Sequence, residues 1–182
     1  MKKNYLNLTK LRKNDIFAIM KWRNEQIKIL RQKKKLSKKD QLKYFNVIDK
    51  DSKRKKPKNI LYSIIDSKEK KCIGYGGFVY VNWVDKKAEM SFLIDTNITK
   101  NVKKYNLYFD NFIASIKKEF FNKHKLNKLF TETFSFRKNH IKILERNNFK
   151  KVEYLKQNFY KKKNSESLIH SLLRRDCLNE KY

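Results

Sequence analysis

The residues best placed to do chemistry lie within one stretch, from Lys87 to Tyr105. In Lys87 to Asp95 the apolar Ala88, Met90, Phe92 and Ile94 alternate with Glu89, Ser91, Leu93 and Asp95. This is the period of a pleated strand with one buried face, which puts a carboxylate and a hydroxyl on the other. The next nine residues, Thr96 to Lys104 (TNITKNVKK), are polar and cationic. Then Tyr105, Tyr108, Phe109, Phe112, Ile113, Ile116 and Phe120 recur at three- and four-residue steps, the buried stripe of a helix. A strand therefore feeds a helix through a basic turn. The first N–H groups of a helix lack intrahelical partners and lie at the positive end of its dipole, so such a turn suits an anionic phosphate.

The elements that must carry this stretch follow from the remaining patterning. Leu6, Leu8 and Leu11 suggest a first strand over Tyr5 to Leu11. Asp15 precedes Ile16, Phe17, Ile19, Met20 and Trp22, a helix with an acid at its start. Ser37 and Asp40 stand in a capping-box relation before a second helix burying Leu42, Phe45 and Ile48, with a cationic loop, Arg31 to Lys35, between the two. Lys50 to Asn59 holds the only proline, Pro57, and reads as an exposed linker. Asn59 to Asp66 and Lys71 to Val81 form a predicted hairpin across Ser67 to Lys70. All three glycines, Gly74, Gly76 and Gly77, fall in its second strand, a sign of a bulge or a close backbone approach. They are not a dinucleotide fingerprint, since no helix follows. Lys128 to Phe134 is a further strand, Lys138 to Arg146 a helix, and Phe149 to Leu155 and Ser167 to Leu173 are closing strands. The order predicts an α/β domain with a mixed sheet.

Charge and cysteine usage narrow the function classes. The 182 residues carry 47 Lys+Arg against 18 Asp+Glu, a formal charge of +29. That balance favours anionic partners: nucleic acid, ribosome, membrane surface or phosphorylated small molecules. A codon bias toward Lys, Asn, Ile, Phe and Tyr accounts for single lysine runs as solvated surface, but need not suppress Asp and Glu. The lysines are spread over every segment without an aromatic-interleaved RNA motif, so stable nucleic-acid binding is not expected. Two cysteines, Cys72 and Cys177, exclude a disulfide framework and a four-cysteine zinc site, and no His/Cys/carboxylate spacing suggests another metal centre. The sequence holds no apolar run long enough for a membrane span and no secretory signal, so the expected location is the cytoplasm.

Four local patterns occur in a telling order: Trp22-Arg23-Asn24 on the first helix; Ser37 to Phe45 (SKKDQLKYF); Ile73-Gly74, then Val81-Asn82, then Ala88 to Phe92 (AEMSF); and Ile143 to Phe149 (ILERNNF). Together they resemble the GNAT superfamily of acyl-CoA-dependent N-acetyltransferases, the last matching its closing L-Y-E-K-x-G-F pattern in spacing. The resemblance covers nearly the whole chain and implies the GNAT fold, a mixed, mostly antiparallel central sheet flanked by helices, over residues 1–175, with 176–182 as a tail. Within the superfamily the chain is similar to the branch that acetylates a UDP-linked 4-amino sugar in pseudaminic acid biosynthesis. The implied reaction is acetyl transfer from acetyl-CoA to the amino group of a nucleotide-linked sugar. Two alternatives are a ribosomal-protein-type N-acetyltransferase and a non-catalytic GNAT-like binding module. Oligomeric state is left open.

The resemblance also implies roles. Glu89 becomes the base that takes a proton from the amine. The backbone of Phe92, Leu93 and Ile94 becomes the guide for the thioester, and that of Asn101, Val102, Lys103, Lys104 and Tyr105 the cradle for the pyrophosphate. The sequence departs from the family in two places. Asn101 and Lys103 stand where the family's phosphate loop has glycines, and Leu144 stands where many members carry the tyrosine that protonates the leaving thiolate. His140, one helical turn before Leu144, is the candidate replacement, against the alternative of a surface or capping histidine. Tyr154, Tyr160 and Ser135 are further substitutes.

Overall fold

The computed structural model describes residues 5–156 and 166–178. Seven strands form one sheet in the order β1-β2-β3-β4-β5-β7-β6. They are β1 (Leu6–Lys10), β2 (Ile60–Asp66), β3 (Cys72–Asn82), β4 (Lys87–Ile94), β5 (Lys128–Phe134), β6 (Lys150–Leu155) and β7 (Ser167–Leu173). Every neighbouring pair is antiparallel except β4 and β5. The helices are α1 (Ile16–Glu25), α2 (Lys38–Ser52), α3 (Thr96–Thr99), α4 (Val102–Lys117), α5 (Lys138–Arg146) and α6 (Arg174–Leu178). The mixed, mostly antiparallel α/β architecture expected from the sequence is the one observed.

Each face of the sheet has its own core. On one face Ala88, Met90 and Ile94 pack with Phe109, Phe112 and Ile116 of α4 and with Ile143 and Leu144 of α5. On the other, Leu93 meets Ile16, Ile19 and Trp22 of α1 and Phe45 and Ile48 of α2. The second face is therefore covered, and Glu89, expected on an exposed face, is only 6% exposed. The glycine cluster of β3 lets α4 close on the sheet. A Cβ at Gly76 would sit 2.7 Å from Phe112 Cζ and 2.5 Å from the Ser91 carbonyl oxygen, closer than side chains tolerate.

Boundaries differ from expectation where capping chemistry decides them. Ser37 and Asp40 form a reciprocal capping box at the start of α2, as their spacing predicts. Asp15 precedes α1 without capping it, because its carboxylate is held by Arg12 Nε at 2.7 Å. The basic turn is mostly helical: Asp95 accepts from the Asn97 amide to start α3, and α4 begins at Val102, taking Lys103 and Lys104 into its first turn. Beyond Lys117 the helix widens into a π turn, Lys118–Lys123, which buries Phe120 and Phe121. At the other end, α6 packs Cys177 against the first core, where the sequence suggested a loose tail from Asp176.

Candidate active site

The site originates in the single parallel pairing of the sheet. β4 and β5 share only the registers Lys87↔Lys128, Ala88↔Leu129 and Glu89↔Phe130. Past Glu89 the two strands part: β4 stays with β3 while β5 stays with β7. The result is a wedge whose β4 wall has no strand partner. The Asp95 amide donates to Ile73 of β3, so by strand alternation Leu93 faces β3, and past the last parallel register Phe92 and Ile94 direct their amides into the wedge. The Leu93 backbone, expected to help guide a thioester, is therefore turned to β3 and away from the wedge. The Ile94 carbonyl is already used, accepting from Gln26 Nε2 at 2.7 Å from the end of α1.

Two cavities meet in this wedge. The inner one is lined by Glu89, Phe92, Thr131, Glu132 and Arg31, and the outer by Gln26, Val102, Tyr105, Phe136 and Lys138. Ile29, Arg137 and His140 belong to both and mark the junction.

At the inner end two carboxylates share one guanidinium. Arg31 donates from Nη2 to Glu89 and from Nη1 to Glu132 at 3.0 Å. Ser167 Oγ donates to the other oxygen of Glu132 at 2.6 Å. Burial pushes the Glu89 carboxyl above its ordinary value; Arg31 pulls it back and the Glu132 charge adds to the rise. Arg31 comes from the cationic loop, and Trp22-Arg23-Asn24 holds that loop. Trp22 anchors the end of α1 in the second core, Arg23 Nε donates to Gln32 Oε1 at 3.0 Å, and Asn24 exchanges hydrogen bonds with the Leu36 backbone at 2.9 and 2.7 Å.

At the junction His140 is buried and stacked on Phe109, with ring centroids 4.2 Å apart. Its Nδ1 lies 2.6 Å from Tyr105 Oη and 3.3 Å from Arg137 Nη2. Arginine only donates, so Nδ1 is an acceptor and the imidazole is neutral with its proton on Nε2. Burial, helped by Arg137 and His170, pushes its basicity well below that of an ordinary histidine. His140 thus lies inside the site rather than at the surface, yet in a form that makes it a poor acid. Tyr105, expected to contribute backbone only, brings its hydroxyl to the same point, where Arg137 Nη2 donates to it at 3.2 Å. Leu144 is fully buried in the first core, Tyr154 lies 40% exposed on the β6 edge, Ser135 lines neither cavity, and Tyr160 falls outside the described residues.

The outer cavity ends at the start of α4. The Asn101 side chain accepts from the Lys104 amide at 3.0 Å, and the Tyr105 amide donates to the Asn101 carbonyl at 2.9 Å. Of the five positions expected to cradle a pyrophosphate, Val102 and Lys103 keep amides directed outward for a ligand, with Lys100, Lys103 and Lys104 around them. Among the described residues no cluster of His, Cys, Asp and Glu could hold a metal ion, and no helix is long and apolar enough to cross a membrane.

Residues 8–169 match the acetyltransferase (GNAT) domain. The chain belongs to the GNAT acetyltransferases. It is accordingly an acyltransferase that draws its acetyl group from acetyl-CoA. No curated protein matches the sequence significantly. Among solved structures, spermidine N-acetyltransferase from Vibrio cholerae in complex with CoA and spermine aligns with a TM-score of 0.80 at 15% identity, over 97% of this chain and 100% of that one. A dodecameric form of the same Vibrio cholerae enzyme gives 0.80 at 15% identity, over 99% and 100%. At that identity the likeness is one of fold. The wedge fits a thioester, since its β4 wall offers the Phe92 and Ile94 amides in extended alignment and its outer end offers helix-terminal amides for phosphate.

Sequence reasoning missed Glu132, Arg137, Gln26 and the role of Arg31. A lone acid inside the otherwise apolar and β-branched strand LFTETF was a usable signal for Glu132. For the other three, nothing local in the sequence marks the partner.

Proposed function

We propose that this acetyltransferase acts on the primary amine of an anionic small molecule, with a nucleotide-linked amino sugar as the acceptor class. The observation that carries the amine chemistry is the pair of carboxylates, buried Glu89 and half-buried Glu132, that share Arg31 at the inner end of the wedge. With acetyl-CoA entering from α4, the thioester carbonyl lies along the β4 wall and the acceptor approaches from the Glu89 side. An amine reaches the site as an ammonium ion and must lose a proton before it attacks. Glu89, its affinity for a proton raised by burial, is suited to take it at neutral pH. The Phe92 amide is placed to steady the developing oxyanion.

The acceptor class rests on charge. The +29 chain and the guanidiniums of Arg31 and Arg137 in the site attract phosphates and repel a polycation. One observation favours a second reading: two adjacent carboxylates are also a seat for an alkylammonium, and the Vibrio cholerae enzyme of like fold is named for spermidine. A thiol-release assay with acetyl-CoA separates the two. We expect turnover with a UDP-linked 4-amino sugar to exceed that with spermidine or a basic peptide; faster turnover of spermidine overturns the sugar reading.

A further inference from the structure

We propose that Tyr105 is the catalytic acid of this enzyme, giving its phenolic proton to the departing CoA sulfur, with His140 and Arg137 as the positioning residues that hold the hydroxyl. The inference rests on acetyl-CoA lying along the two cavities as described above and does not depend on which amine is acetylated.

Three observations converge on the hydroxyl. Tyr105 lines the outer cavity, through which the thioester arm must run, while the groups bonded to its oxygen, His140 and Arg137, line both cavities. The thioester sulfur, which separates the CoA arm from the acetyl group, belongs at that junction. The hydroxyl is also directed. Nδ1 of a neutral imidazole accepts its hydrogen bond at 2.6 Å, and the Arg137 guanidinium donates to the same oxygen at 3.2 Å. Finally, α5 carries no tyrosine and its Leu144 is fully buried in the core, so a phenol arriving from α4 has no rival on that helix.

The amine lone pair forms the C–N bond at the acetyl carbonyl, and collapse of the adduct breaks the C–S bond, leaving the electron pair on sulfur. The Tyr105 proton moves to that sulfur as the O–H turns from Nδ1 of His140. The phenolate left behind is paired with the Arg137 guanidinium. Of the two protons the ammonium sheds on becoming an amide, one restores the phenol and the other goes to solvent. Burial raises the phenol's affinity for its proton, so Tyr105 stays protonated through the neutral range; the Arg137 charge and hydrogen bond oppose that rise and stabilise the phenolate.

The test uses Tyr105→Phe, which keeps the ring and removes only the hydroxyl, and two readouts. In turnover, we expect about a 10²-fold loss of kcat with acetyl-CoA. The acetyl thioester of 4-nitrothiophenol, whose thiolate leaves without a proton, should lose less than about threefold, since the acid's share of catalysis is no longer needed. In binding at pH 9, above the ordinary thiol value of about 8.5, the wild-type protein should prefer CoA over desulfo-CoA by about tenfold through a hydrogen bond to the thiolate. The variant should lose that preference while binding desulfo-CoA as the wild type does. Wild-type turnover matched by the variant, or an equal loss with both thioesters, overturns the role of Tyr105 alone. Absence of both CoA binding and acetyl transfer in the wild type overturns the placement of acetyl-CoA and this inference with it.

Discussion

Arg31, on the loop between α1 and α2, places its guanidinium on the carboxylate of Glu89 in the middle of the sheet, joining that loop directly to the proposed base. The first prediction follows from the base itself. Glu89→Gln should lower kcat about 10²-fold, while CoA affinity measured by calorimetry changes less than about twofold, because the amide removes proton transfer and little else. The acid limb of the pH–rate profile should vanish with it, and a variant that keeps that limb would refute the assignment.

Arg31→Ala should shift the acid limb to higher pH. A base works only when ionised, and Arg31 is the group that favours the ionised form of Glu89, the proposed base, against burial and the nearby Glu132. Without the guanidinium, buried Glu89 faces the charge of half-buried Glu132 with no counter-ion, so it keeps its proton to higher pH and activity is lost earlier on acidification. A profile of kcat/KM against pH checks this, and an unmoved or lowered limb contradicts it.

With acetyl-CoA placed as proposed, Asn101 competes with its phosphate. Its side chain occupies the Lys104 amide at 3.0 Å, a donor that a glycine at the same position would leave for the ligand. Glycine in place of an Asn cap costs only a few tenths of a kcal/mol in helix stability, whereas a hydrogen bond to a charged group contributes about 1.5–3 kcal/mol. Asn101→Gly should therefore bind CoA roughly tenfold more tightly in a calorimetric titration. Weaker binding would mean that the Lys104 amide does not face the pyrophosphate.

The strand and helix order was legible because most elements carry their own signal: period two in Lys87–Ile94, a capping box at Ser37, a helical stripe from Tyr105. The strand that bears Glu89 was legible as a strand, but not the cover over its second face, since that cover is α1 and α2 from far away in sequence. The wedge was invisible for the same reason. It exists because β5 leaves β4 after Phe130 to follow β7, a pairing choice that no local pattern encodes. The site's cluster of Arg31, Glu89 and Glu132 joins three distant segments, and of the three only Glu89 was singled out by the sequence; the lone acid in LFTETF was a signal that went unread. Tyr105 shows the opposite limit: its periodicity marked it as a core residue, which it is, and concealed a hydroxyl aimed at His140.

His140 should make folding stability depend on pH in the mildly acidic range. Its folded-state pKa lies well below the unfolded value near 6.5, so below that pH the unfolded chain takes up a proton that the folded chain excludes. Stability is then complete above about pH 6.5 and declines on acidification by up to about 1.4 kcal/mol per pH unit for this one group. Chemical denaturation of His140→Asn at several pH values should show a smaller slope than wild type between about pH 6.5 and 5. His170, also held down by burial, remains in the variant and keeps the slope from reaching zero. Identical slopes would show that His140 is protonated in the fold.

The charge of +29 allows two kinds of acceptor that salt can tell apart. A nucleotide sugar and CoA offer a few phosphates, so raising salt should weaken their capture by less than about fivefold between 50 and 200 mM. A ribosome-bound protein acceptor would bring many lysine–phosphate contacts, each releasing roughly 0.7 to 0.9 counterions, and six to ten such contacts lose about 10³–10⁵ in affinity over the same range. The lysines do not converge on the wedge. Within its two cavities only Lys28 and Lys138 appear, both at the outer end beside α4, and the inner end is governed by arginine and glutamate. That distribution fits a general attraction of small anions rather than a nucleic-acid track, so KM should rise gently with salt and ribosomes should not retain the protein at physiological ionic strength. Cosedimentation that persists there would favour a ribosomal-protein acceptor over the sugar.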